Sequence, residues 1–155
     1  MPDVDLPFSR NEYAERLTRV RRAMEVKGIE LLISSDPSNM AWLTGYDAWS
    51  FYVHQCVLIP MEGEPFWFGR LQDGNGALRT VYMNEANILS YPDHYVQSPD
   101  RHPMDVLSTL ITDRGWDKQH IGVEMDNYYF SAAAFASLLK HLPNAQFQDA
   151  TALEN

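Results

Sequence analysis

Apolar residues recur with two periods along the chain, and the switches between them outline its elements. Ser9-Arg10-Asn11-Glu12 has the form S-x-x-E, a capping box that satisfies first-turn amides. Tyr13, Leu17, Val20 and Met24 then share one helical face, and Gly28 is the expected stop. Arg10, Arg16, Arg19 and Arg22 fall on the opposite face and predict a solvated arginine surface. Residues 29–33 read as a buried strand, residues 35–39 as a turn, and residues 40–43 as a short helix ended by Gly45. Residues 51–59 form the longest β-like run. A hairpin turn over 61–64 returns the chain to a strand at 65–68, antiparallel because so short a loop cannot make a parallel crossover.

The second half alternates more regularly. Residues 73–76 read as a glycine-rich loop, 77–84 as a short helix and 87–91 as a strand. Pro103 opens a helix with Val106, Leu107, Leu110 and Ile111 on its apolar stripe, closed by Gly115. Residues 120–125 form a strand. Ser131 caps a further helix with Phe135, Leu138, Leu139 and Leu142 inward and Pro143 beyond its end, and residues 146–149 make a last strand. This order predicts an α/β domain with a mixed, partly antiparallel sheet flanked by helices. Residues 1–8 are expected to be an entry arm, 9–151 the domain, and 152–155 the start of a linker.

Length and composition narrow the function classes. The 155 residues suffice for one domain with a real core, and 45% of them are hydrophobic. A net charge of −9 argues against nucleic acid and against anionic lipid as partners, both of which need a basic face. No apolar run reaches membrane-spanning length, and MPDVDLPFSR lacks a signal-peptide core. The lone Cys56 forms no internal disulfide, suits a reducing cytoplasm, and lies in an apolar run that predicts a buried side chain.

Catalytic patterns are missing from the sequence. The five histidines, His54, His94, His102, His120 and His141, are dispersed, with no H-E-x-x-H and no C-x-x-C to suggest a metal. No G-x-S-x-G elbow or phosphate-binding glycine motif occurs. Glu124 and Asp126 sit at a strand end at a spacing that places both on one face, and they read first as helpers of the following turn. The unusual stretch is residues 39–55, with Trp42, Tyr46, Trp49, Phe51 and Tyr52 close together. Tyr46, Asp47, Trp49, Phe51, Tyr52 and His54 are the candidates for a substrate wall, against the alternative that most of these aromatics are core.

Three segments carry a resemblance. FSRNEYAERLTRVRRAMEVKGIELLI resembles the opening helix and strand of creatinase-type N-terminal domains. SDPSNMAWLTGY is similar to that family's loop through Asn39, Trp42, Leu43, Thr44, Gly45 and Tyr46. HIGVEMDNYYFSAAAFASLLKHLPNAQFQDAT resembles the elements that precede the catalytic domain. The family comprises creatinase, prolidase (X-Pro dipeptidase), aminopeptidase P and ectoine hydrolase, and the tryptophan and tyrosine bias points toward the ectoine hydrolase branch. The resemblance implies a ribonuclease H-like mixed sheet. It implies no catalytic residue, metal or cofactor in this chain; in the family's peptidases divalent metal (Mn, Co or Zn) sits in a C-terminal catalytic domain, whereas creatinase itself needs none. It further implies a homodimer in which this domain reaches a neighbouring subunit's active site. Creatinase-like members place a Phe and an Arg near the substrate; the first falls at or near Phe51, and the second at Val53, where no arginine stands. The expected role is that of a non-catalytic domain of a C–N bond hydrolase; the alternative is a stand-alone α/β binding or dimerisation module.

Overall fold

The computed structural model describes residues 4–47, 53–96 and 98–153. Among them, a six-stranded sheet runs in the order β4-β3-β2-β1-β5-β6. The strands are β1 (Leu31–Ser34), β2 (Cys56–Pro60), β3 (Phe66–Arg70), β4 (Ile88–Tyr91), β5 (His120–Val123) and β6 (Gln146–Asp149). β1, β2 and β3 pair antiparallel, while β4 joins β3, β5 joins β1, and β6 joins β5 in parallel. This is the expected mixed α/β sheet, with a hairpin set among crossover units.

The helices are α1 (Arg10–Lys27), α2 (Pro37–Thr44), α3 (Gly74–Thr80), α4 (Pro103–Asp113) and α5 (Ala132–His141). They cover both faces of the sheet. Leu32, Val57, Ile59 and Trp67 meet Tyr13, Val20, Met24, Met40, Leu43 and Ala77 on one side. Leu31, Ile33, Leu58, Phe68, Ile121 and Val123 meet Met104, Leu107, Ile111, Ala134 and Leu138 on the other. Alternate residues of β1 serve opposite cores, which is why that central strand is apolar without interruption until Ser34. Each fully buried Leu or Ile stabilises the fold by about 1.5–3 kcal/mol.

Several sequence expectations are corrected. Arg16 does not belong to a solvated face. It is 6% exposed, and its guanidinium donates to the Trp42 carbonyl at 2.8 Å while lying over the Phe8, Tyr13 and Trp42 rings. A planar, weakly hydrated cation can be stacked in this way, which a face count ignores. β2 begins at Cys56, so residues 53–55 of the expected run are not strand, and residues 51 and 52 lie outside the described residues. The glycine-rich stretch 73–76 is not a loop: Gly74 and Gly76 lie inside α3, which ends at Thr80. α2 starts at Pro37, because a proline tolerated at the first helical position extends the helix through the supposed turn. On α5, Leu139 is 48% exposed, and Ala134 and Ser137 are buried.

Candidate functional site

α2 delivers the chain to the aromatic segment. Gly45 closes the helix at φ +83°, and its N–H donates to the Ala41 carbonyl at 2.8 Å. A Cβ there would stand 2.9 Å from the Thr80 carbonyl oxygen, so glycine is required twice over. Thr44 Oγ1 accepts from the Tyr46 amide at 3.1 Å, which fixes the turn.

Tyr46 then enters the core. It is 3% exposed, its ring packs 5.3 Å from that of Trp67, and its hydroxyl donates to Gln55 Oε1 at 2.7 Å. Burial pushes the phenol well above its usual range, so it remains a donor. Gln55 is buried as well. Tyr46 and Gln55 therefore clasp together the two ends of the segment between them. Asp47 is exposed just outside the clasp, its amide donating to Thr80 Oγ1 at 3.2 Å. Trp49, Phe51 and Tyr52 lie outside the described residues. His54 is half-buried, and its carbonyl accepts from the Tyr91 hydroxyl at 2.6 Å.

Two polar clusters that the sequence did not disclose support this end of the sheet. Glu124 follows β5 and is 1% exposed. Its carboxylate accepts from Ser34 Oγ at 3.0 Å, Ser35 N at 2.5 Å, Asp36 N at 2.8 Å and Asn39 Nδ2 at 2.7 Å. It thus serves the start of α2, where the N-cap Asp36 makes no side-chain cap bond of its own. Burial raises the Glu124 carboxyl above its usual range, against the pull of these four donors. The expectation that Glu124 helps the next turn is corrected: it reaches back across the sheet to residues some ninety positions earlier. Only a strand order that places β5 beside β1 reveals the partnership.

The second cluster gathers around His54. Its ring lies 4.4 Å from that of His102, the N-cap of α4. Burial, with the second imidazole contributing, lowers the His54 pKa to about 4; burial also lowers that of His102. His102 Nδ1 accepts from Met104 N at 3.0 Å, and the His102 backbone N–H donates to Asp105 Oδ2 at 3.1 Å, a capping box built with histidine. Ser137 Oγ and His141 Nε2 both address Asp105 Oδ1, at 2.5 and 3.1 Å. Ser, His and Asp are together here, yet the serine donates to the carboxylate and not to an imidazole. The trio ties α4 to α5 and lacks the nucleophile–base contact that acyl transfer requires.

Among the described residues, no group of three or more His, Cys, Asp or Glu could hold a metal ion. None of the described helices is long and apolar enough to cross a membrane. An open groove of about 690 Å³ runs along α1, but one helix supplies its lining, including Glu15, Arg19 and Arg22, so no groups converge on it.

Comparisons with known proteins agree with this architecture. The Creatinase/Prolidase N-terminal domain profile matches residues 16–155. The chain is 62% identical, over its whole length, to ectoine hydrolase of Halomonas elongata, and covers 39% of that protein. It is 41% identical over 97% of its length to the hydrolase/peptidase y4tM of Sinorhizobium fredii, and covers 38% of it. It therefore spans about two fifths of the length of these curated relatives. The N-terminal domain of Xaa-Pro dipeptidase from Lactobacillus brevis superposes with a TM-score of 0.73 at 16% identity, over 90% of this chain and 97% of that one. Xaa-Pro dipeptidase from Bacillus anthracis gives 0.69 at 15% identity, over 91% of this chain and 34% of that one. With a family profile matched over most of its length and the same fold in these solved structures, the chain belongs to the creatinase/prolidase N-terminal domain family.

Proposed function

We propose that this chain is the non-catalytic N-terminal domain of a C–N bond hydrolase of the ectoine hydrolase type. In this reading it forms a homodimer in the cytoplasm, and residues 46–54 contribute to the substrate wall of the neighbouring subunit's active site. Asp47, Trp49, Phe51, Tyr52 and His54 are the proposed contacts, and Tyr46 is the anchor that holds them. Any divalent metal would belong to a C-terminal catalytic domain, since the described residues offer no ligand set.

The observation that carries the wall is the clasp. A buried hydrogen bond joins Tyr46 to Gln55, the described residues that flank the aromatic segment, at one end of the sheet, and this supports reading the segment as presented there. The choice of ectoine hydrolase over X-Pro dipeptidase rests on 62% identity to the former; the dipeptidase domains, at 15–20%, share the fold.

The test joins this chain to its catalytic domain and compares turnover of ectoine with that of Xaa-Pro dipeptides. Ectoine is expected to be the better substrate, and W49A or F51A to raise KM more than it lowers kcat. Efficient dipeptide hydrolysis with no ectoine turnover would defeat the substrate assignment. Stoichiometric binding of Mn, Co or Zn by the isolated chain would defeat the accessory role.

A further inference from the structure

The loop that joins β5 to α5 is a braced arch. Glu124 and Phe130 enter the interior at its two ends, at 1% and 8% exposure. Between them Asn127 forms an Asx turn: its Oδ1 accepts from Tyr129 N at 2.8 Å, and its carbonyl accepts from Phe130 N at 3.2 Å. Ser131 then caps α5. The arch also leans on the segment that follows β6. Met125 N donates to Asp149 Oδ1 at 3.1 Å, and Asp126 N donates to Thr151 Oγ1 at 3.0 Å. Asp149 Oδ1 accepts from Thr151 N as well, at 3.0 Å, so one carboxylate oxygen ties both backbones together.

This fixed loop carries apolar surface outward. Tyr128, at its crest, is 95% exposed, and Met125 is 39% exposed. The Tyr128 ring stands edge-on to that of Tyr129, with centroids 5.5 Å apart. A lone exposed apolar side chain is ordinary, and Val26, at 88% between Glu25 and Lys27, is of that kind. Tyr128 differs because its backbone is already held and because Met125 and Tyr129 share its loop. A tyrosine side chain buries roughly 150–250 Å² when covered, and its few torsions make it inexpensive to order.

We infer that this arch is a docking surface for the catalytic domain of the same polypeptide, with Tyr128 as its anchor and Met125 at its side. The matched family is an N-terminal domain, and the chain covers 39% of ectoine hydrolase. The residues that lead out of the domain are the ones the arch grips. Thr151 bonds to Asp126, and Leu153 is buried, its N–H donating to the Ala150 carbonyl at 3.1 Å. Among the described residues β6 is an edge strand, so a body that follows it can approach from the side of the sheet. A short tether presents such a body to Tyr128 at an effective concentration on the order of millimolar, so a patch too small to hold a separate protein suffices for a linked one. The inference rests on the accessory-domain reading above and is independent of its substrate wall, since residues 125–129 are a different loop from residues 46–54.

The experiment compares the isolated chain with the chain joined to its catalytic domain by hydroxyl-radical footprinting, read residue by residue with mass spectrometry. Met125 and Tyr128 are expected to be oxidised at least about fivefold more slowly in the joined protein. Y128A should leave the melting temperature of the isolated chain within about 1 °C, because the ring is exposed there. In the joined protein Y128A should speed protease cleavage of the link beyond Leu153 by about fivefold or more, and Y128F should restore most of the resistance. Equal oxidation of Tyr128 in the two proteins would overturn the docking surface. Protection already present in the isolated chain, and growing with its concentration, would also overturn it and give the patch to a second copy. Protection in the joined protein with unchanged cleavage in Y128A would overturn Tyr128 as the anchor. None of these readouts is a turnover, so loss of the ectoine assignment or of the wall leaves them standing, and their failure leaves the W49A and F51A kinetics to be judged alone.

Discussion

Two polar clusters, one buried around Glu124 and one half-buried around His54 and His102, share one end of the sheet, and they are opposites. Around Glu124 an acceptor meets four donors, and every lone-pair direction of the carboxylate is used. Around His102 a donor meets no acceptor. The first arrangement is closed: it fixes the start of α2 and, through α2, the turn at Gly45 that leads to the aromatic segment. The second is open, with a cavity and an arginine beside it. The two differ in burial as well as in saturation, and only the first is a closed structural support.

Their pH signatures should also oppose each other. Glu124 has a folded-state pKa above the ordinary 4.5, so the folded state takes up its proton more readily than the unfolded chain. Its contribution is largest below 4.5 and is lost as pH rises through the folded value. His54 is depressed from 6.5 to about 4, so its contribution is full above 6.5 and is lost as pH falls toward 4.

The comparison can be broken most forcefully at Glu124. E124A strands four donors and opens a hole, and should destabilise the domain by about 3 kcal/mol or more in urea unfolding at pH 7. E124Q, which keeps the shape and one acceptor, should lose less. A loss below about 1 kcal/mol in E124A would show that solvent or a neighbour takes over the carboxylate's role.

The histidine cluster gives the next effect. Between pH 7 and 4.5, protonation of His54 should cost about 2 kcal/mol of stability, and H54Q should flatten that acid limb. Equal acid sensitivity in H54Q and the parent would place the titration elsewhere. Y46F follows. It removes the clasp and leaves Gln55 buried without its donor, for about 1–1.5 kcal/mol in thermal or urea unfolding. R101Q should change stability by less than about 0.5 kcal/mol, since exposed charges contribute little. If R101Q is instead strongly destabilising, Arg101 is part of the fold, and the contrast between a closed and an open cluster loses its clearest probe.

The sequence was most legible where one face of one element decides the structure. Ser9 and Gly28 bracket α1 as their chemistry requires, the hairpin between β2 and β3 follows from its short turn, and Ser131 caps α5. Legibility failed where a residue answers to a distant strand. Nothing in the neighbourhood of Glu124 indicates that its partners lie at residues 34–39, and His54 and His102 are nearly fifty positions apart. Arg16 misled for a related reason: periodicity assigns it a side of the helix, while three aromatic rings and a carbonyl assign it a burial. Asp47 is exposed and His54 half-buried, whereas Tyr46 belongs to the interior. An aromatic-rich stretch cannot disclose that division, because a buried anchor uses the same kinds of side chain as an exposed surface.

Cys56 opens β2 at this same end of the sheet. It is fully buried, and its thiol is pushed up by burial with Glu124 adding to the shift. A thiol reagent can reach it only when the strand end opens, and the chain has no other cysteine to confuse the signal. Its labelling rate is therefore a built-in clock for local opening between the two clusters. Loosening the Glu124 bonds beside it should quicken that clock even where the global melting temperature hardly moves.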